Sequence, residues 1–133
     1  MKNISKAWPD KQVSKAWPDK QVSKAWPDSQ VKEIANKYIS EVIKSGIPVN
    51  SAYLFGSYAK GNSNRYSDID ICVISPNFGK DYFEESLKLR FLTSSVDSRI
   101  EAVPLSPKDL SDKYSTLASE IKKHGVVLQL SDN

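Results

Sequence analysis

The sequence predicts an α/β (α+β) domain, one small sheet flanked by helices. Strand-like and helix-like patterns alternate from residue 31 to residue 130, an amphipathic helix opens the series, and no long linker interrupts it. The opening helix is the clearest element. Val31, Ile34, Ala35, Tyr38, Ile39, Val42 and Ile43 recur in steps of three and four, the period of one helical face, and Gly46 supplies the stop. Such a stripe is expected to pack on a sheet. "SAYLF" (51–55) is short and apolar, which suits a buried strand, and "DIDICVIS" (68–75) is rich in β-branched residues and ends at Pro76. "YFEESLKLRFLTSSV" (82–96) reads as a helix, "SRIEAVPL" (98–105) alternates as a strand does, and "VVLQL" (126–130) supplies a fourth strand. Before it, "LASEIKKHG" (117–125) is a helix with basic residues in its last turn and Gly125 as its cap.

The first thirty residues are built differently. "ISKAWPDKQ", "VSKAWPDKQ" and "VSKAWPDSQ" are consecutive copies of one nonapeptide over residues 4–30, differing only at the first and eighth positions. Nine residues turn a helix by ~900°, so successive copies would face opposite sides, and each Trp-Pro step resists the helix. The division expected is an arm over residues 1–30 and a domain over residues 31–133, with the arm dispensable for folding.

Charge follows the same division. Residues 1–30 hold six lysines and three aspartates, whereas residues 31–133 hold 13 basic and 13 acidic side chains, so the domain itself is neutral. Nothing in that balance argues for direct nucleic-acid binding. One cysteine, Cys72, excludes an intramolecular disulfide framework and suits a reducing compartment. No apolar run approaches the ~18–20 residues of a membrane span, and the N-terminus lacks the apolar core of a signal peptide. A cytoplasmic protein is expected, and self-association is left open. Cys72 among apolar strand residues reads as core, and His124 beside Lys122 and Lys123 reads as complementing a helix C-terminus.

Chemistry concentrates in "LFGSYAKGNSNRYSDID", residues 54–70. Strand residues two apart share a face, so Asp68 and Asp70 project together while Ile69 and Ile71 enter the opposite layer. Two carboxylates so close repel each other unless a cation lies between them. Mg²⁺ suits such a pair because it takes hard oxygen ligands, often one or two carboxylates together with substrate phosphates. Gly56 lets the backbone approach a ligand, and the N–H groups and hydroxyl at Ser57 offer donors to phosphate oxygens. The combination points to phosphoryl-group chemistry.

In these residues, Gly-Ser at 56–57 followed by Asp-Ile-Asp at 68–70, the sequence resembles the polymerase-beta-like nucleotidyltransferases. Its shortness resembles the minimal members of that superfamily, the antitoxin partners of HEPN-domain toxins. The resemblance spans roughly residues 27–130 and leaves the arm outside it. It implies a small mixed sheet flanked by helices, ATP as substrate and Mg²⁺ held on its phosphates by Asp68 and Asp70. It also implies a third carboxylate on a neighbouring strand, a position where the superfamily usually has aspartate. Glu101 is the favoured candidate for that metal ligand and base, with Asp97 the competitor. Lys60 and Arg65, between the halves of the motif, are placed to steady the phosphates alongside Gly56 and Ser57. The reaction implied is transfer of AMP from ATP to a hydroxyl of a partner protein, a HEPN toxin. The competing functions are nucleotidyl transfer to a small molecule such as an aminoglycoside, for which no second domain remains to build an acceptor pocket, and a non-catalytic antitoxin that neutralises by contact.

Overall fold

The computed structural model describes residues 29–61 and 67–130. In chain order the elements are α1 (Ser29–Lys44), β1 (Ser51–Phe55), α2 (Gly56–Lys60), β2 (Ile69–Ile74), α3 (Tyr82–Thr93), β3 (Ile100–Leu105), α4 (Pro107–Leu110), α5 (Thr116–His124) and β4 (Val126–Val127). The arm expected over residues 1–30 lies outside the described residues, except that Ser29 and Gln30 open α1.

The strands form one mixed sheet in the order β3-β2-β1-β4. β1 runs antiparallel to β2, with Ser51 opposite Ile74 and Phe55 opposite Asp70, and antiparallel to β4. β2 runs parallel to β3, pairing Ile69 with Ile100, Asp70 with Glu101 and Ile74 with Leu105.

Alternation along the strands gives the sheet two apolar faces. On one, Ala52, Leu54, Ile69, Ile71, Val73 and Ile100 join the main core with Val31, Ala35, Tyr38, Ile39 and Val42 of α1 and Leu89 of α3. The Tyr38 hydroxyl donates to the Leu89 carbonyl at 2.7 Å and ties the two helices together. On the other face, Phe55, Cys72 and Ile74 pack with Ile121 of α5. β2 is covered on both sides, and Asp70 is its only residue that is not buried. The predicted apolar stripe of α1 is the one that packs, and Gly46 ends the helix at φ +101°. Among the described residues no helix is long and apolar enough to cross a membrane.

The departures from the expected elements have local causes. α3 stops at Thr93 rather than residue 96, where the Thr93 and Ser94 hydroxyls donate to the carbonyls of Arg90 and Phe91. β3 starts at Ile100 rather than residue 98, because the Asp97 carboxylate accepts from the Arg99 N–H at 2.9 Å and turns the chain. β4 holds only two residues. Beyond it the Leu128 N–H still donates to Ala52 O at 2.8 Å, but the Gln129 N–H turns to the Asn36 side chain of α1. α4 was not foreseen. Its signal is Ser-Pro-Lys-Asp at 106–109, where the Ser106 hydroxyl and the Asp109 carboxylate each accept from the other's N–H, at 3.1 and 3.0 Å.

Candidate active site

β1 ends at Phe55, directly opposite Asp70 on β2, so the Gly56-Ser57 turn is delivered onto the second aspartate of the motif. Gly56 opens α2 at φ +75°, a conformation that favours glycine. Its Cα faces the Asp70 side chain so closely that a methyl group there would overlap Asp70 Oδ2 and lie 3.0 Å from Cγ. The glycine is thus required twice, by its own backbone and by the carboxylate it touches. Gly56→Ala is expected to cost ~2 kcal/mol or more through the strained backbone and the displaced aspartate. Chemical denaturation measures that loss, and calorimetry with Mg²⁺ and ATP should show nucleotide binding weakened with it. A stable Gly56→Ala protein with normal binding would contradict the close packing.

Ser57 lies within the first turn of α2 rather than at its cap, which is Phe55, and no side chain caps that end. Lys60 closes the helix before Gly61, and its ammonium pairs with Glu120 of α5 at 3.3 Å. Arg65 lies outside the described residues.

The parallel register places Glu101 beside Asp70 on the neighbouring strand, and paired residues in such a ladder share a face at a strand spacing of ~4.8 Å. Asp68 lies two residues before Asp70, exposed and just ahead of β2, which begins at Ile69 rather than at residue 68. Partial burial and then the negative charges of Asp68, Glu101 and Glu120 push the Asp70 carboxyl up to about 6. This end of the sheet therefore gathers anionic oxygens. As placed, no group of three acidic, histidine or cysteine side chains among the described residues converges tightly enough to grip a metal ion. Repulsion between like charges opposes their closer approach. The donor chemistry nevertheless fits a hard divalent cation, which needs oxygen ligands and relieves that repulsion.

Asp97 is engaged elsewhere. Its carboxylate accepts from Arg99 Nε at 3.1 Å and Nη2 at 3.0 Å, and hydrogen bonding to that guanidinium holds its carboxyl below the usual range. Cys72 is buried with its thiol pushed up to about 12 by desolvation, which makes it an inert core residue. His124 ends α5, as its sequence context suggested. Glu120 was not singled out from the sequence. It meets Lys60 from sixty residues away, and nothing local in the chain signals that contact.

This strand–turn–helix unit, with its carboxylates at one end of a mixed sheet, matches a known family. Residues 36–128 match the nucleotidyltransferase domain family, and the chain belongs to it. Among curated relatives, the chain is 32% identical over 95 residues to the protein adenylyltransferase MntA of Shewanella oneidensis, covering 71% of this chain and 64% of that protein. It is 36% identical over 74 residues to a Methanocaldococcus jannaschii protein provisionally named a protein adenylyltransferase, covering 53% of this chain and 50% of that one. The chain thus spans about half to two thirds of the length of these relatives. Among solved structures, a mutant of the toxin–antitoxin complex MntA–HpeT aligns with TM-score 0.53 and 26% identity over 73% of each chain. A nucleotidyltransferase-like protein of Sulfolobus solfataricus aligns with TM-score 0.54 at 19% identity, over 74% of this chain and 79% of that one, a likeness of fold alone.

Proposed function

We propose that this protein transfers AMP from ATP to a hydroxyl of a partner protein, and that the partner is a HEPN-domain toxin for which it serves as antitoxin. The observation that carries the reading is the register of Asp70 with Glu101, beside Asp68 and under the Gly56 turn. The relatives support it from outside: one is named a protein adenylyltransferase, and another is solved within a toxin–antitoxin complex.

In this reading Asp68, Asp70 and Glu101 would hold Mg²⁺. The ion would supply charge neutralisation to the triphosphate and to the charge that develops during transfer. The protein's own groups do the rest. The Gly56-Ser57 backbone and the Ser57 hydroxyl donate to phosphate oxygens, and the close approach needs a residue without a side chain at 56. Lys60 steadies the phosphates from the end of α2, and Arg65, outside the described residues, brings a second positive charge to the same task. Glu101 takes the proton of the acceptor hydroxyl as its oxygen bonds to the α-phosphorus. The bond from that phosphorus to the bridging α–β oxygen breaks, and pyrophosphate leaves with the electron pair.

The test is intact-mass measurement of a HEPN partner co-expressed with this protein. One or more AMP adducts are expected, absent with Asp70→Asn. A partner that is inhibited yet unmodified would overturn the reading in favour of neutralisation by contact.

A further inference from the structure

Lys60 is the last residue of a helix only five residues long, and its ammonium stands 3.3 Å from Glu120 Oε2 at the rim of the carboxylate cluster. Glu120 is carried by a firmer element. α5 is capped at its start by the Ser115 hydroxyl, which accepts from the Ala118 N–H, and Ala118 and Ile121 on either side of Glu120 are buried. The two side chains are 37% and 35% exposed, and ion pairs that open to water contribute little to stability. What the pair does supply is a fixed position. A lysine side chain has ~2 kcal/mol of rotamer freedom to lose, and one held by a rigid neighbour loses less of it when a ligand arrives. The ammonium carries three N–H donors, so one can remain on Glu120 while others meet a phosphate. Protein kinases use the same physics, where a phosphate-binding lysine must be held by a glutamate of a neighbouring helix.

We propose that Glu120 is a positioning residue that holds Lys60 of α2 toward the triphosphate of the nucleotide. The inference rests on the nucleotidyltransferase reading and extends it to a residue outside the Gly-Ser and Asp-x-Asp motif. α5 packs its Ile121 against Phe55, Cys72 and Ile74, the face of the sheet that also carries Asp70, so Glu120 lies on the same side as the cluster.

Calorimetry with Mg²⁺ and ATP on the full chain tests it through a double-mutant cycle of Glu120→Ala and Lys60→Met. Glu120→Ala is expected to weaken ATP binding about three- to tenfold, as for one freed side chain. Glu120→Gln, which keeps an acceptor for the ammonium, should recover part of that loss. In the Lys60→Met background Glu120→Ala should change nothing further, and the thermal midpoint should scarcely move. With a turnover assay, the change should fall on KM for ATP rather than on kcat. An equal effect of Glu120→Ala with and without Lys60, or a gain in affinity, would overturn the inference, since Glu120 would then act by its own charge. Asp70→Asn is the control. If it leaves ATP binding intact, or if the unaltered chain does not bind ATP, the nucleotidyltransferase reading itself fails and this inference with it. If Asp70→Asn abolishes binding but the cycle shows no coupling, only the role of Glu120 fails.

Discussion

Asp70→Asn is expected to abolish AMP transfer and, at neutral pH without divalent cations, to raise the thermal midpoint. Both effects come from one carboxylate. Asp70 is the single polar member of the otherwise buried β2, and it faces Asp68, Glu101 and Glu120. Partial burial and those like charges hold its carboxyl at about 6, up from 3.8. Moving the carboxyl from 3.8 to about 6, at ~1.4 kcal/mol per tenfold change in proton affinity, would amount to ~3 kcal/mol. Solvent screening at a site that is only partly buried reduces this to ~1–2 kcal/mol. For a domain of this size that is a rise of roughly 4–8 °C per kcal/mol when the charge is removed.

The pH dependence separates this cause from a general packing effect. Because the folded chain holds the Asp70 proton more tightly than the unfolded chain does, stability from this group is fully present below about pH 4. It declines as pH rises toward 6 and is gone above that, when the folded carboxylate has ionised. The difference in midpoint between Asp70→Asn and the unaltered protein should therefore be near zero at pH 4 and reach a plateau above pH 7. Mg²⁺ should raise the midpoint of the unaltered protein at pH 7 and leave that of Asp70→Asn nearly unchanged. Thermal scans from pH 4 to 8, with and without Mg²⁺, measure both. A difference that stays flat across this range would mean that Asp70 carries no charge penalty.

Much of this site could be seen in the linear chain because its parts are local. The two-residue period of a strand predicts Asp68 and Asp70 on one side, although β2 begins only at Ile69, and Gly-Ser after an apolar run announces a turn without any tertiary knowledge. The alternation of 98–105 even orients Glu101 away from the core that takes Ile100 and Ala102. What the chain could not state is register. That Phe55 stands opposite Asp70, so that Gly56 touches its carboxylate, depends on how two strands align, and a slip of one residue would reverse every side chain. The Lys60–Glu120 contact is further out of reach, since it needs the packing of α5 on the sheet. The short β4 has a similar origin: its apolar run reads as strand, but Leu128 is claimed by the α1 side of the core and Gln129 by Asn36.

Glu101→Gln is expected to lower the rate of AMP transfer by ~10²–10⁴-fold while changing ATP affinity far less. A base acts as the acceptor hydroxyl loses its proton, so its contribution is made in the transition state and is absent from the nucleotide-bound ground state. The glutamine keeps the size of the side chain and removes only its charge and basicity. Glu101 is exposed on β3, opposite Asp70, so its carboxylate is open to solvent. Asp97 offers the contrast. It is closer to the aspartate usual in this superfamily, but its carboxylate is occupied by the Arg99 guanidinium and the Arg99 N–H, which makes it a brace at the start of β3. Asp97→Asn should therefore transfer AMP at close to the normal rate and lose a modest amount of stability at neutral pH. The measurement is single-turnover transfer to the partner at saturating ATP, paired with calorimetric ATP affinity for both variants. A normal rate for Glu101→Gln together with a depressed one for Asp97→Asn would move the third carboxylate to Asp97. It would require the Arg99 pair to open when the partner docks.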